Sequence, residues 1–195
     1  MDYGLIGERL PHSFSREIHD KIADYDYQLC EISRDKLEDF MTAHKFKAIN
    51  VTIPYKEAVI PYLSELDETA KLCGAVNTVV NRDGRLVGYN TDICGMGALV
   101  RRLGIELKGK TVLILGTGGT SKTAAALASM SGALNVVRVS RTGRDGSVTY
   151  DEAYSRMEDS DIIINTTPCG MYPDVDGVPI LQDRFKSLTG VVDAV

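Results

Sequence analysis

No apolar run in this sequence approaches the roughly 18 residues that a membrane-spanning helix needs. The N-terminus, Met1-Asp2-Tyr3-Gly4-Leu5-Ile6-Gly7, lacks the basic segment and apolar core of a secretory signal. The four cysteines, Cys30, Cys73, Cys94 and Cys169, are scattered, with no CxxC pair and no histidine at metal-ligand spacing. They read as buried thiols in a reducing compartment, which predicts a cytoplasmic protein without a metal site. There is no basic excess either: 22 Lys and Arg face 27 Asp and Glu, a net charge of −5. That balance gives no support to nucleic-acid binding, which draws on a basic face. Internal repeats and low-complexity tracts are absent. What remains is an ordinary globular composition, 44% hydrophobic and 25% charged. The 195 residues exceed one small module and fall short of two full α/β domains.

Short apolar runs alternate with helical patterns, the pattern of an α/β fold. Strands are predicted at 3–6, 27–32, 48–53, 76–80 and 86–89. The helices between and after them are predicted at 15–25 (through Ile18, Ile22 and Tyr25), 35–44 (through Leu37, Phe40 and Met41), 56–63, 68–73 and 92–103. The Asp83-Gly84 step predicts a tight hairpin. Leu107–Lys110 reads as a linker, which sets domains at 1–103 and 104–195.

After the linker, the apolar strand Thr111–Leu115 runs into Gly116-Thr117-Gly118-Gly119-Thr120-Ser121 and an Ala-rich helix at 122–130. Gly116 permits a tight turn, Gly118 lets backbone approach a pyrophosphate, and a helix N-terminus supplies amides and partial positive charge. The third glycine of the dinucleotide pattern is replaced by Ser121, which is small enough to pack closely. Further strands are predicted at 135–139, 161–164 and 190–195. The second of the domain's strands is followed by Ser140-Arg141-Thr142-Gly143-Arg144, with no acid before Asp145. NAD sites place an acid there for the ribose 2′-hydroxyl, whereas guanidiniums and hydroxyls suit the 2′-phosphate of NADP. The chain stops inside the apolar run Val191–Val195 with no helix after it, so the sheet of the second domain is expected to be incomplete.

Four polar clusters are expected at strand ends or turns, where open α/β sheets bind ligands. They are Pro11-His12-Ser13-Phe14-Ser15, Asn50-Val51-Thr52-Ile53-Pro54-Tyr55-Lys56, Gly74-Ala75-Val76-Asn77-Thr78 and Gly88-Tyr89-Asn90-Thr91-Asp92. Taken singly, each has a plain structural reading: Ser13 or Ser15 as an N-cap, Lys56 as a solvated lysine, Asp92 as a helix cap. Together, a lysine, an aspartate, amides and hydroxyls suit a small polyhydroxylated ligand and proton transfer.

The ordered series Ser-x-Ser, Asn-Val-Thr-x-Pro-x-Lys, Gly-Ala-x-Asn-Thr, Asn-Thr-Asp, Gly-x-Gly-Gly, Ser-Arg-Thr and Asn-Thr-Thr-Pro resembles shikimate dehydrogenase along the whole chain. The resemblance implies an N-terminal α/β substrate domain with a mostly parallel sheet, then a Rossmann-like NADP domain. It implies the reversible, NADP-dependent reduction of 3-dehydroshikimate to shikimate. Ser13 and Ser15 would bind the carboxylate, Asn50, Thr52, Asn77 and Asp92 the ring hydroxyls, and Lys56 and Asp92 would form the catalytic pair. Gly116, Gly118, Gly119, Thr120 and Ser121 would cradle the pyrophosphate. Arg141 would hold the 2′-phosphate, in the loop that also offers Ser140, Thr142 and Arg144 to the cofactor, with Asn165, Thr166 and Thr167 beside it. Two departures from the family pattern stand out. The stretch from Arg144 to Asp161 is short, so its helix is expected to be reduced or absent, and against the family pattern a C-terminal segment is expected to be missing. Two other readings are a quinate/shikimate dehydrogenase with broader substrate or NAD use, and a truncated form that binds ligand without turnover. A monomer or homodimer that binds the small-molecule substrate, and neither nucleic acid nor membrane, is expected.

Overall fold

The computed structural model describes residues 1–10, 13–172 and 175–194. Pro11 and His12 of the first polar cluster, and Val195 of the last predicted strand, lie outside the described residues. The chain divides into two compact units, Met1–Thr91 and Asp92–Val195.

The first unit runs β1 (Tyr3–Gly7), α1 (Ser15–Ile22), β2 (Tyr27–Glu31), a 3-10 turn at Arg34–Lys36, α2 (Leu37–Ala43) and β3 (Ala48–Val51). It continues through α3 (Tyr55–Ala58), a second 3-10 turn at Ile60–Tyr62, β4 (Glu65–Leu66), α4 (Glu68–Cys73), β5 (Thr78–Arg82) and β6 (Arg85–Tyr89). The strands form one sheet in the order β2-β1-β3-β5-β6-β4, mostly parallel, with β5 antiparallel to β3 and β6. The β5–β6 hairpin turns at Asp83 and Gly84, both at positive φ, as its dipeptide predicts. Alternation along the strands sends Ile6, Ile49, Val51, Val79 and Leu86 to one face, where Leu37, Met41, Tyr55 and Val59 cover them. Burying each such side chain contributes roughly 1.5–3 kcal/mol.

Two helix expectations change. The periodicity of α1 through Ile18 and Ile22 suggests that these residues face the core. Instead, both are exposed and none of the helix is buried. The side chain it lays on the sheet is His19, stacked flat on Tyr27 with ring centroids 3.7 Å apart and bonded through Nδ1 to the Tyr25 hydroxyl at 2.5 Å. The helix predicted at 56–63 is a single α-turn followed by a 3-10 turn, because Pro61 lacks the N–H that would extend it. The cysteines correct a third expectation. All four are free, but among them only Cys73 is buried, and Cys94 is exposed, to one side of the helix stripe formed by the buried positions Ile93, Met96, Gly97 and Val100.

The second unit begins with α5 (Asp92–Arg102) and continues through β7 (Thr111–Leu115), α6 (Gly119–Met130), β8 (Asn135–Ser140), β9 (Val148–Thr149) and α7 (Tyr150–Arg156). After β10 (Ile162–Asn165) and a 3-10 turn at Gln182–Arg184 comes β11 (Gly190–Asp193). The sequence-based boundary at 103/104 and the division at 91/92 differ by one helix, α5. Its Met96 and Val100 pack with Val112, Ile114, Ala124, Ala128, Ile162 and Val192. The opposite face of the sheet packs Leu113, Leu115, Val139 and Ile163 against Ala153, Ile180 and Phe185. Between Arg144 and Asp161 a two-turn helix, α7, does form. Its capping box joins the Thr149 hydroxyl to the Glu152 amide and the Glu152 carboxylate to the Thr149 amide.

All strands of this sheet are parallel, in the order β11-β10-β7-β8-β9. The chain therefore reverses its winding direction between β7 and β10. A doubly wound sheet binds its ligand at that switch point, beyond the carboxyl ends of the strands.

Candidate active site

In the first unit, register gathers the predicted residues on one sheet edge. Leu5 pairs with Asn50, Asn50 with Thr78, and Thr78 with Tyr89. The carboxyl ends of β1, β3 and β6 therefore open on the same edge as the amino end of β5. Thr52 and Asn77 extend from that row, and Lys56 sits in the helix just after β3. Backbone bonds hold the edge in shape: Thr52 N–H donates to Ile6 O at 3.0 Å, Val51 N–H to Asn77 O at 2.8 Å, and Val76 N–H to Lys56 O at 2.7 Å. The last of these clips α3 beside the segment leading into β5, so Lys56 and Asn77 belong to one neighbourhood.

The polar side chains form a connected network. The Tyr27 hydroxyl donates to Asn50 Oδ1 at 2.7 Å, and Asn50 Nδ2 donates to Thr78 Oγ1 at 3.1 Å and to Asn77 O at 3.4 Å. The Thr78 hydroxyl donates to Asn77 Oδ1 at 3.1 Å. Asn77, only 7% exposed, accepts the Thr91 N–H at Oδ1 (2.9 Å) and donates from Nδ2 to Thr91 Oγ1 (2.9 Å). Asn77 thus fixes Thr91, the residue directly before Asp92 in the chain. Asn90 is structural: it is 1% exposed and donates to Ala75 O at 2.9 Å. Asp92 opens α5, where a carboxylate favours the helix N-terminus.

Ser13 and Ser15 flank the start of α1 and are half-buried. Neither is its N-cap residue, which is Phe14. The Ser13 hydroxyl accepts the Ser15 N–H at 3.3 Å, which holds the two serines together at the turn. The polar clusters of the sequence include Thr78 and Thr91 without a role for either and leave out Tyr27, yet these three residues hold Asn50 and Asn77. Tyr27 lies more than twenty residues from Asn50, and only the pairing of β1 with both β2 and β3 brings them together.

In the second unit, Gly116 lies at the switch point with φ 111°, a conformation that favours glycine. A Cβ there would sit 2.9 Å from Thr166 Oγ1, so the glycine loop and Asn165–Thr167 adjoin at the ends of β7 and β10. Gly118 is the N-cap of α6, and a Cβ on it would meet nothing within 4 Å, so the space before the helix is open to a ligand. Ser121, 1% exposed, takes the place of the third glycine and donates to Gly116 O at 2.7 Å, closing the loop on itself.

Asn165 organises its own loop. It is 2% exposed, donates to Cys169 O and Asp193 Oδ1, and accepts from the Thr167 amide and hydroxyl. The Thr166 hydroxyl donates to Leu115 O at 2.5 Å. At the end of β8, Ser140 Oγ lies 2.7 Å from Ser147 Oγ and accepts the amides of Thr142 (3.4 Å) and Gly143 (3.0 Å). The tight turn this makes leaves Arg141, Thr142 and Arg144 exposed, and among the described residues neither guanidinium has an ion-pair partner. Two unpaired guanidiniums with adjacent hydroxyls fit a phosphate monoester, and the open glycine loop at a helix N-terminus fits a pyrophosphate.

The family model described as the shikimate dehydrogenase substrate binding domain matches residues 5–79. The shikimate dehydrogenase (NADP(+)) of Clostridium beijerinckii is 36% identical over 208 residues, covering 99% of this chain and 77% of that protein. The chain belongs to the shikimate dehydrogenase family. Its fold agrees with that family throughout. The crystal structure of shikimate dehydrogenase 1 from Peptoclostridium difficile has a TM-score of 0.90 at 34% identity, over 100% of this chain and 78% of that one. The shikimate 5-dehydrogenase of Thermus thermophilus, in complex with NADP(H) and shikimate, has a TM-score of 0.83 at 25% identity, over 99% and 78%. Two parallel-rich units, the first matched by the family's substrate-binding domain, are the architecture expected of a shikimate dehydrogenase.

Proposed function

We infer that this chain is an NADP-dependent shikimate dehydrogenase, interconverting shikimate and 3-dehydroshikimate. The observation that carries the reading is the edge of the first sheet, where Asn50, Thr52, Lys56 and Asn77 gather in a family member 36% identical to an NADP-dependent shikimate dehydrogenase. When bound, NADP supplies the group that accepts hydride from the ring carbon and returns it in the reverse direction.

The chain's residues do the rest. Ser13 and Ser15 bind the ring carboxylate with their hydroxyls. Asn50, Thr52 and Asn77 hold the ring hydroxyls. Lys56 and Asp92 act on the hydroxyl that becomes a ketone. In the oxidising direction they take its proton, and in the reducing direction they return it to the alkoxide. Positioned acid–base help of this kind is worth roughly 10²–10⁴ in rate. The amides of Gly118, Gly119, Thr120 and Ser121 receive the pyrophosphate at the start of α6, with Gly116 shaping the turn. Arg141 and Arg144, with Ser140 and Thr142, receive the 2′-phosphate. Asn165, Thr166 and Thr167 shape the wall of the cofactor site rather than bind through their polar atoms, most of which are bonded within the protein. The reading includes a cytoplasmic monomer or homodimer. The four free cysteines fit a reducing compartment, and among the described residues no helix is long and apolar enough to cross a membrane.

Calorimetric titration of the chain with shikimate and, separately, with NADP and NAD tests the reading. Shikimate and NADP are expected to bind, with NADP well ahead of NAD. A folded chain that binds neither shikimate nor NADP would overturn it.

A further inference from the structure

Asn50 can be read atom by atom. Its amide has two hydrogens to donate and one carbonyl oxygen with two lone pairs. Both hydrogens are engaged, one by Thr78 Oγ1 at 3.1 Å and one by Asn77 O at 3.4 Å. Asn77 O is a backbone carbonyl and can only accept, so Nδ2 must face it and Oδ1 must point away. Oδ1 receives the Tyr27 hydroxyl at 2.7 Å. One lone pair on Oδ1 is left for a ligand.

Tyr27 is built to keep that arrangement. It is 2% exposed, its ring is stacked under His19 at 3.7 Å and 8°, and its burial holds the phenol well above its ordinary titration range. The phenol is therefore a permanent O–H donor at any working pH. A buried donor beside a single acceptor is costly to leave unpaired, so Tyr27 and Asn50 fix each other.

We propose that Tyr27 is a positioning residue that fixes Asn50 as a hydrogen-bond acceptor, so that the ligand position Asn50 serves must carry a donor. A ring hydroxyl or amine fits there; a ketone, an ether or a fluorine does not. The inference rests on the reading above that Asn50 faces the substrate. It deepens that reading by giving one ring position a chemical polarity. The site discriminates at that carbon by the direction of the hydrogen bond, as well as by size.

The test uses analogues of shikimate in which each ring hydroxyl is replaced in turn by fluorine, which cannot donate, or by an amine, which can. They are assayed by calorimetry on the wild-type chain and on the Asn50→Ala and Tyr27→Phe variants. At one ring position fluorine is expected to weaken binding roughly tenfold while the amine binds, and Asn50→Ala is expected to erase that difference. Tyr27→Phe keeps the buried, stacked ring and loses only the O–H. It is expected to raise the shikimate dissociation constant roughly fivefold and to shrink the fluorine-to-amine difference at the same position. A merely structural Tyr27 would lower thermal stability and leave that difference intact, which overturns the inference. So would wild-type protein that binds the fluorine analogue as well as the amine at every ring position, an outcome that needs no variant to fold. If Asn50→Ala binds shikimate and every analogue as wild type does, Asn50 does not face the ligand, and the underlying assignment of Asn50 fails instead.

Discussion

Ser13 and Ser15 would hold a carboxylate whose charge does not change during the reaction. Their contribution should therefore be equal in the ground and transition states. The Ser13→Ala, Ser15→Ala double variant is expected to raise KM for shikimate by tenfold or more, given roughly 1 kcal/mol for each hydrogen bond, with kcat close to wild type. Steady-state kinetics check this, and a kcat that falls with an unchanged KM would place the carboxylate elsewhere. Arg141 has a different expected signature. Arg141→Ala should weaken NADP by about 1.5–3 kcal/mol and leave NAD nearly unaffected, because only NADP carries the 2′-phosphate. Parallel titrations decide it, and equal losses for both cofactors would contradict the assignment. At this scale the sequence was legible wherever residues near in the chain lie together at a strand end, as in Asn50 to Lys56 or Gly116 to Ser121. It was not legible for Tyr27 and Thr78, whose roles depend on partners brought across the sheet. A tyrosine in an apolar strand reads as core until its hydroxyl is seen to have a partner.

Among the elements, β7 and β10 carry the switch point of the second sheet, and Asp161 ties their starting ends together. Its carboxylate accepts the Thr111 N–H at 2.9 Å and pairs with Lys110 Nζ at 2.9 Å, and its side chain is 22% exposed. The hydrogen bond donated by the Thr111 N–H, and then that from Lys110, hold this carboxyl below its ordinary value of 3.8. A carboxylate with a lowered folded-state pKa stabilises the fold above its unfolded value, and the benefit is lost as pH falls through the folded value. Asp161→Asn is thus expected to cost about 1–2 kcal/mol at neutral pH. The gap in Tm from wild type should close progressively once pH drops below the ordinary carboxylate range. Thermal melts of both proteins over a pH series check the sign, and a gap that widens toward acid would contradict it.

Most strands and helices were legible from period and turn chemistry, including the Asp83-Gly84 hairpin and the strand-loop-helix at Thr111–Met130. The two-residue strands β4 and β9 were not, because two residues carry no period. The orientation of α1 was misread for a related reason. Helical period identifies an apolar stripe but not what covers it, and here ring stacking by His19 sets the face turned to the sheet.

Over the whole molecule, two parallel-rich sheets present their ligand groups in the same manner, at strand ends, and each does so by a different device. The first uses side chains wired to one another, Tyr27 to Asn50 to Thr78 to Asn77 to Thr91. The second uses backbone, with Gly116 at positive φ and an open helix start at Gly118. A polyhydroxylated acid needs directional side-chain partners, whereas a pyrophosphate needs close backbone amides, so the two devices suit the two proposed ligands. The central claim is that these groups together run NADP-linked oxidation of shikimate with Lys56 and Asp92 handling the proton. The most direct measurement is the rate of nicotinamide reduction by the chain with shikimate and NADP, beside Lys56→Ala and Asp92→Ala. Turnover is expected to require both ligands and to fall by roughly 10²-fold or more in kcat in each variant, with a smaller change in KM. Near-normal kcat in either variant, or no turnover by a wild-type chain that binds both ligands, would contradict it.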